Sequence, residues 1–129
     1  MERNALPIID AADWATYMGP LGDVAEEIVA AWLGDLDARV ADITEAAHRH
    51  DLTGLATAAH TLRSSATYVG AARLADACRE IERLARYHDD WAPIADLVPA
   101  VRRDATDARG ALVASADAAG GVTRGSSAP

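Results

Sequence analysis

The chain has 129 residues, of which 50% are hydrophobic and 5% aromatic, and its length fits one compact domain. Phe is absent, so the core must consist mainly of Ala, Leu, Val and Ile, and abundant alanine favours helix. Cys78 is the single cysteine, which excludes an intramolecular disulfide and a cysteine-based metal cluster. The formal net charge is −8 and every Lys or Arg position is Arg, so we expect no binding to nucleic acid or to an anionic membrane.

The N-terminal segment from Met1 to Asp10 has no apolar run long enough for a signal peptide. No later stretch approaches the ~20 apolar residues of a membrane span. A single cysteine is compatible with a reducing compartment. We therefore expect a cytoplasmic protein.

The first two predicted helices are separated by strong turn residues. Asp10 can cap a short helix that carries Tyr17 and Met18, and the Gly and Pro residues at positions 19, 20 and 22 end it. Asp23 and Glu26 resemble a capping box at the start of a long second helix. The apolar residues that predict its buried stripe are Val24, Ile28, Trp32, Leu36, Val40, Ile43 and Ala47.

The third and fourth predicted helices form a pair. Asp51 can cap the third helix, and Gly70 stands where a left-handed C-terminal cap is wanted. The fourth begins near Ala72, and the short connection predicts that it packs antiparallel to the third. The predicted buried residues are Leu52, Leu55, Ala56, Ala59, Leu62, Ala66 and Val69, followed by Leu74, Ala77, Cys78, Ile81 and Leu84. The charged residues expected mostly at the other positions of the fourth helix are Arg79, Glu80, Glu82, Arg83 and Arg86.

The last predicted helix starts at Asp89 or Asp90 and tolerates Pro93 in its first turn. Pro99 removes a hydrogen bond at a cost of up to ~3 kcal/mol, so we expect a kink or break there, with the ring facing solvent. The apolar stripe continues through Ile94, Leu97, Val98, Val101, Ala105, Ala108 and Leu112. Residues 119–129 lack an apolar period and are predicted to be a flexible tail after a domain of residues 1–118. The predicted fold is all-α: an antiparallel up-and-down four-helix bundle with a short additional N-terminal helix.

The candidate site lies on the third helix. At 100° per residue, His60 falls roughly 125° from the centre of the apolar stripe, so its imidazole should face outward. Ser64 and Thr67 fall on the same face, and Arg63 lies one turn from His60, where the two side chains can meet over a common ligand. An exposed imidazole beside a guanidinium and small residues is accessible to a large partner.

The histidines, the cysteine and the N-terminal aromatic residues also have simpler structural interpretations. A lone helical His is usually a solvated surface residue, and His48, His50 and His88 are expected to be just that, near helix ends. Cys78 lies in an apolar stripe and is expected to be a small core residue. Trp14, Trp32 and Trp91 are expected to be core or helix-packing anchors, although part of the group Trp14, Tyr17 and Met18 could form an apolar docking rim beside His60.

The string from Ala59 to Gly70, AHTLRSSATYVG, resembles the signature of the histidine-containing phosphotransfer (HPt) domain family. In that signature a phosphorylatable His is followed by Leu, then Lys or Arg, then a small residue, and later by Gly. Those places hold His60, Leu62, Arg63, Ser64 and Gly70. The resemblance covers about residues 6 to 115, and the commonest family pattern has Lys then Gly where this chain has Arg63 then Ser64.

The resemblance implies that His60 is the phosphoacceptor, that Arg63 stabilises the phosphoryl group, and that Ser64 leaves room for a partner. Thr67, Tyr17 and Met18 are further candidate partner contacts, and Gly70 is structural. The partner would be a receiver domain of a response regulator or a hybrid histidine kinase, and Mg²⁺ would be bound by the receiver. We expect no cofactor and no metal on this chain.

The predicted activity is therefore that of a phosphoryl carrier in a two-component phosphorelay, without catalytic turnover of its own. The alternative is a non-phosphorylated helical module that only binds a receiver or kinase. A histidine-based metal protein is a third reading, which the scattered histidines oppose. We expect a monomer, although an apolar docking rim and a homodimer patch look alike in sequence.

Overall fold

A computed structural model of the chain describes residues 5–88 and 90–127, and its side chains as far as residue 115. Within these ranges the structure is helical and contains no strand. The elements are α1 (Ala11–Tyr17), a 3₁₀ turn (Gly19–Leu21), α2 (Val24–His48), α3 (Leu52–Tyr68), α4 (Ala72–Tyr87) and α5 (Trp91–Ser127). Helix α3 packs against α2 and α4, and α5 packs against α4 and α2, which closes the ring of four. The predicted four-helix bundle with a short N-terminal helix is confirmed.

Helix α1 is fastened to the end of α3. The Asp10 carboxylate caps α1 by accepting a hydrogen bond from the amide of Asp13, as the sequence predicts. The Asp10 amide donates to the Gly70 carbonyl at 2.6 Å. Gly70 has a φ of 76°, and a Cβ at this position would lie 3.0 Å from the Asp10 carbonyl oxygen. Glycine is therefore required both by the left-handed turn and by the close approach of the N-terminal segment.

The buried stripe of α2 differs from the prediction at its start. Val24 and Ile28 are exposed, whereas Ala25 and Val29 are buried. A spacing of four advances about 40° beyond a full turn, so Val24 lies about 80° from Trp32, and alternating spacings of three and four follow the true face. The predicted capping box is also wrong, because Asp23 has a helical backbone conformation and its side chain makes no cap hydrogen bond.

Helices α3 and α4 contribute much of the core. The Asp51 side chain caps α3 through the amide of Gly54, as predicted. Trp32 of α2 donates from its indole to the Ser65 hydroxyl at 3.0 Å, which fixes the register of α2 against α3. The side chains of α3 and α4 that are fully or almost fully buried are Leu55, Ala56, Ala59, Leu62, Ala66, Leu74, Ala75, Ala77, Cys78 and Ile81.

Helix α5 is continuous through Pro99. It runs from Trp91 to Ser127 as one helix, so the predicted alternative of a break at Pro99 is wrong. Pro99 is exposed, as expected. Ile94, Val101 and Ala108 are fully buried on its inner face. The backbone of residues 119–127 continues this helix, and the flexibility of the predicted tail and the domain boundary at residue 118 stay predictions.

Among the described helices, none combines the length and apolar character that crossing a membrane requires.

Candidate functional site

His60 faces outward from α3, as the helical wheel predicts. Its side chain is 50% exposed, whereas its neighbour Ala59 and, two residues on, Leu62 are completely buried. These two residues hold the helix against the core with the opposite face turned to solvent. The imidazole thus has a rigid support and an accessible edge.

Glu82 of α4 is the main contact of His60 on the neighbouring helix. Its carboxylate oxygen Oε2 lies 3.0 Å from His60 Nδ1, and its other oxygen, Oε1, accepts a hydrogen bond from Arg63 Nε at 3.0 Å. The Glu82 side chain is only 11% exposed. A buried carboxylate is stable only when it is paired, and here Arg63 pairs with it across the α3–α4 contact.

Arg86 completes the charge cluster from the next turn of α4. Its Nε donates to Glu82 Oε2 at 3.0 Å, the same oxygen that lies against His60. Burial alone would raise the pKa of the Glu82 carboxyl, but the hydrogen bonds from Arg86, Arg63 and His60 outweigh it and hold that pKa below its ordinary value. Glu82 is therefore ionised at neutral pH, and the two guanidinium groups leave a local positive charge around His60.

The periodicity of α4 predicts Glu82 among the charged residues mostly outside the apolar positions, and that pattern does not reveal its role in the site. A signal was available, because Glu82 lies four residues after Cys78 and directly after Ile81, both of which are completely buried. A carboxylate so close to an apolar stripe requires a cationic partner on a neighbouring helix. Which partner this is depends on tertiary packing.

Arg63 meets His60 as the spacing of three predicts. Its Nη2 lies 2.9 Å from His60 Nδ1, while its Nε is bound to Glu82. The imidazole therefore has both of its polar neighbours on the Nδ1 edge. Nε2, at the other edge of the ring, is the nitrogen left for an incoming group.

Ser64 and Thr67 are half-buried beside His60 on α3. The Thr67 hydroxyl donates to the Arg63 carbonyl at 3.0 Å, so it is occupied by its own helix. Ser64 is a small residue one turn from His60, where a larger side chain would project over the approach to the imidazole.

Tyr17 and Met18 are both predicted as partner contacts, but only Tyr17 is exposed. Met18 is 3% exposed and belongs to the core, so its assignment to a docking surface is corrected: the turn that follows α1 directs it inward. Tyr17 is 39% exposed and packs edge-on against Tyr68, with ring centroids 4.9 Å apart. Tyr68 is 54% exposed and lies one turn beyond Ser64. Trp14 is partly buried against the core.

Other exposed apolar side chains lie at the start of α2. We use the term tyrosine rim for the exposed apolar set Tyr17, Leu21, Val24, Ile28 and Tyr68. The hydrogen bond between Trp32 and Ser65 places Ile28, one turn earlier on α2, level with Tyr68 at the end of α3. The tyrosine rim therefore lies at the C-terminal end of α3, one turn beyond Ser64.

The remaining histidines and the cysteine form no second site. His50 is exposed with a φ of 54°, and its ring packs at a tilt of 36° against Trp91 with the ring centroids 4.2 Å apart, so it is not the plain solvated residue that was expected. His88 contacts Arg83. Cys78 is buried, as expected, and burial raises the pKa of its thiol to about 12, so it is unreactive at neutral pH. In the part of the chain that the structure describes, no group of His, Cys, Asp and Glu could hold a metal ion.

Comparison with known proteins gives matches to a domain family and to a solved structure. Residues 27–114 match the family model of the Hpt domain. The fold is similar to the crystal structure of histidine-containing phosphotransfer protein B (HptB) from Pseudomonas aeruginosa PAO1. That similarity has a TM-score of 0.73 and 22% sequence identity, and it covers 80% of this chain and 89% of that one. No match was found among the curated proteins. Because the family match spans well over half of the chain, this protein belongs to the Hpt domain family, which carries out histidine phosphotransfer in two-component signalling.

Proposed function

We propose that the chain carries a phosphoryl group on Nε2 of His60, either between receiver-domain aspartates or from a hybrid sensor kinase to a response regulator. The observation that carries this proposal is the exposed imidazole whose Nδ1 edge faces Glu82 and Arg63, so that Nε2 is left as the nucleophile. With the proton on Nδ1, Nε2 keeps its lone pair, which is the form that can attack phosphorus.

The charge around His60 suits a phosphoryl group. Arg63 uses one donor on Glu82 and directs another at His60, and a guanidinium carries five, so donors remain for phosphoryl oxygens. Arg86 adds a second positive charge within the same cluster. This local positive charge contrasts with the formal net charge of −8 of the whole chain and favours an anionic group at this one place.

The partner supplies the rest of the machinery in this proposal. A receiver domain would bring the phosphorylated aspartate and its Mg²⁺, and this chain would contribute the nucleophile without turnover of its own. Ser64 and Thr67 would lie under the receiver, and the tyrosine rim would supply apolar contact beside the reacting groups. We place the protein in the cytoplasm as a monomer, with Met18 no longer part of the docking surface.

A transfer experiment separates this function from its alternative. The chain would be incubated with phospho-charged receiver domains encoded by the same genome, and we expect acid-labile, alkali-stable label on the chain. A non-phosphorylated binding module would bind a receiver or kinase and acquire no label. That result would replace the carrier function by the alternative.

Ser64 tests the docking geometry. Ser64→Gly and Ser64→Ala should transfer at about the normal rate, because a small side chain is all that the position requires. Ser64→Trp should slow transfer at least tenfold, since it fills the space over the imidazole one turn away. Transfer rates at saturating and limiting receiver concentrations would be compared, and a normal rate for Ser64→Trp would contradict the proposed approach of the partner.

Arg63 tests the stabilisation of the phosphoryl group. Arg63→Ala should slow transfer from the receiver onto His60, or shorten the phosphohistidine lifetime, by roughly ten- to a hundredfold, the scale of one hydrogen bond to a charged group. Receiver binding in the absence of phosphate should change little, and Arg63→Lys should restore much of the function because it keeps the charge. If Arg63→Ala instead abolished receiver binding with transfer chemistry unchanged, Arg63 would be a docking residue.

A further inference from the structure

Two neighbours with opposite requirements contact the same nitrogen of His60. Nδ1 lies 2.9 Å from the Arg63 donor Nη2 and 3.0 Å from the Glu82 acceptor Oε2. In the ring plane Nδ1 holds either a proton or a lone pair, so it can donate to Glu82 or accept from Arg63, but not both in one protonation state. Each protonation state of the ring therefore has its own partner already in place.

We propose that Glu82 and Arg63 act as a proton gate at Nδ1, which sets how long the phosphohistidine persists and how readily it gives up its phosphoryl group. This inference rests on the proposed function and assigns Glu82 as a positioning residue for it. Glu82 stabilises the Nδ1–H form, which is reactive after phosphorylation. Arg63 stabilises the form without that proton, which stores the phosphoryl group.

The proton and electron balance of the transfer explains the gate. The Nε2 lone pair attacks phosphorus, and the bond between phosphorus and the receiver's aspartate oxygen breaks, with its electron pair staying on the aspartate. His60 then carries a proton on Nδ1 and the phosphoryl group on Nε2, so the ring is cationic. Loss of the Nδ1 proton to water leaves the phosphorylated ring uncharged, and its Nδ1 lone pair then accepts the hydrogen bond from Arg63.

Outward transfer reverses these events. The proton returns from water to Nδ1, where Glu82 accepts its hydrogen bond. The bond between Nε2 and phosphorus then breaks with its electron pair staying on Nε2, and neutral imidazole leaves. Without the Nδ1 proton the leaving group would be the much more basic imidazolate, so transfer requires that proton.

Glu82 is held in position for this role. Arg63 Nε and Arg86 Nε bind its two oxygens at 3.0 Å each, and the side chain is almost buried against α3. The lowered pKa of its carboxyl keeps it an anion, so it holds a proton on Nδ1 and does not take that proton itself. The ion pairs of this cluster join Glu82 of α4 to Arg63 of α3 and to Arg86 of α4. From α5, the buried Asp104 lies within electrostatic reach of Cys78, as Arg63 and Glu82 do.

The test uses two substitutions that should act in opposite directions. The pH dependence of label loss would be measured for phosphorylated wild type, Glu82→Gln and Arg63→Ala. Glu82→Gln removes the negative charge that favours Nδ1–H, so the pH profile should move to lower pH, with label loss roughly tenfold slower near neutral pH. Arg63→Ala removes the competing donor, so the profile should move to higher pH, with faster loss.

The exposed ion pair of Arg83 with Glu80 on the same helix supplies a matched control. Glu80→Gln removes the same charge, but Glu80 pairs with Arg83 and has no contact with His60 in the network, so its pH profile should match wild type. Displacement of the Glu82→Gln and Arg63→Ala profiles in the same direction would overturn the gate, because a merely structural role predicts that pattern. An unmoved Glu82→Gln profile would overturn it too.

A second measurement needs neither a variant nor a partner. Nitrogen NMR of the unphosphorylated wild type, at a pH where His60 is neutral, should show the proton on Nδ1. A proton on Nε2 would overturn the role of Glu82. If the tautomer is as expected but the wild type accepts no label from any receiver, the proposed function fails and the gate has no phosphohistidine to act on, so the two failures are distinguishable.

Discussion

His60→Gln should abolish phosphorylation of the chain and leave its fold intact. The substituted side chain lacks a ring nitrogen that can attack phosphorus, so no label should be acquired at any receiver concentration. The position is half exposed, and a glutamine amide can still donate to Glu82, so the free energy of unfolding should change by no more than about 0.5 kcal/mol. Label incorporation and thermal unfolding followed by circular dichroism would be measured on the same preparation.

His48→Gln is the matched control for that variant, because His48 is an exposed histidine at the end of α2. It should acquire label as the wild type does. Label retained on His60→Gln would move the phosphoacceptor to another residue. Loss of helical signal in His60→Gln would show that the residue supports the core.

Leu62→Ala, on the other face of the same helix, should have the opposite effect on stability and destabilise the fold. Leu62 is completely buried behind the site, and a leucine-to-alanine change in a core costs about 2–5 kcal/mol in transfer free energy and cavity formation. Domains of this kind are typically stable by only about 5–15 kcal/mol, so the loss is a large share of the total. Urea unfolding at neutral pH would measure it.

The control for Leu62→Ala is Leu21→Ala, the same chemical change at a residue that is 36% exposed. Its cost should be clearly smaller, because less apolar surface is returned to water. Equal losses for the two variants would contradict the assignment of Leu62 to the core and of the His60 face to solvent.

The helices themselves were predictable because their signals are local. Asp10 and Asp51 have extended backbones and cap through amides three residues on, a relation that can be seen in the sequence alone. Asp23 has the same residue type but a helical backbone, since the turn before it already directs the chain into α2. An Asp before a predicted helix therefore acts as a cap only where its own backbone is extended, and the residue type alone does not show this.

The site was predictable only within one helix. His60 and Arg63 are three residues apart on α3, so their contact follows from helical geometry. Glu82 is 22 residues from His60 and contacts it only because α4 packs against α3. Met18 was predicted as a partner contact but is buried, because the turn after α1, and not helical periodicity, determines where it points.

The most direct measurement of the central claim is the location of the phosphoryl group after transfer. A phospho-charged receiver would be mixed with the wild-type chain carrying isotope-labelled histidine nitrogens, and phosphorus and nitrogen NMR would identify the bonded atom. We expect a phosphoryl group on Nε2 of His60, with Nδ1 either protonated and donating a hydrogen bond to Glu82, or deprotonated and accepting one from Arg63. A phosphoryl group on Nδ1, on another residue, or on no residue of this chain would contradict it.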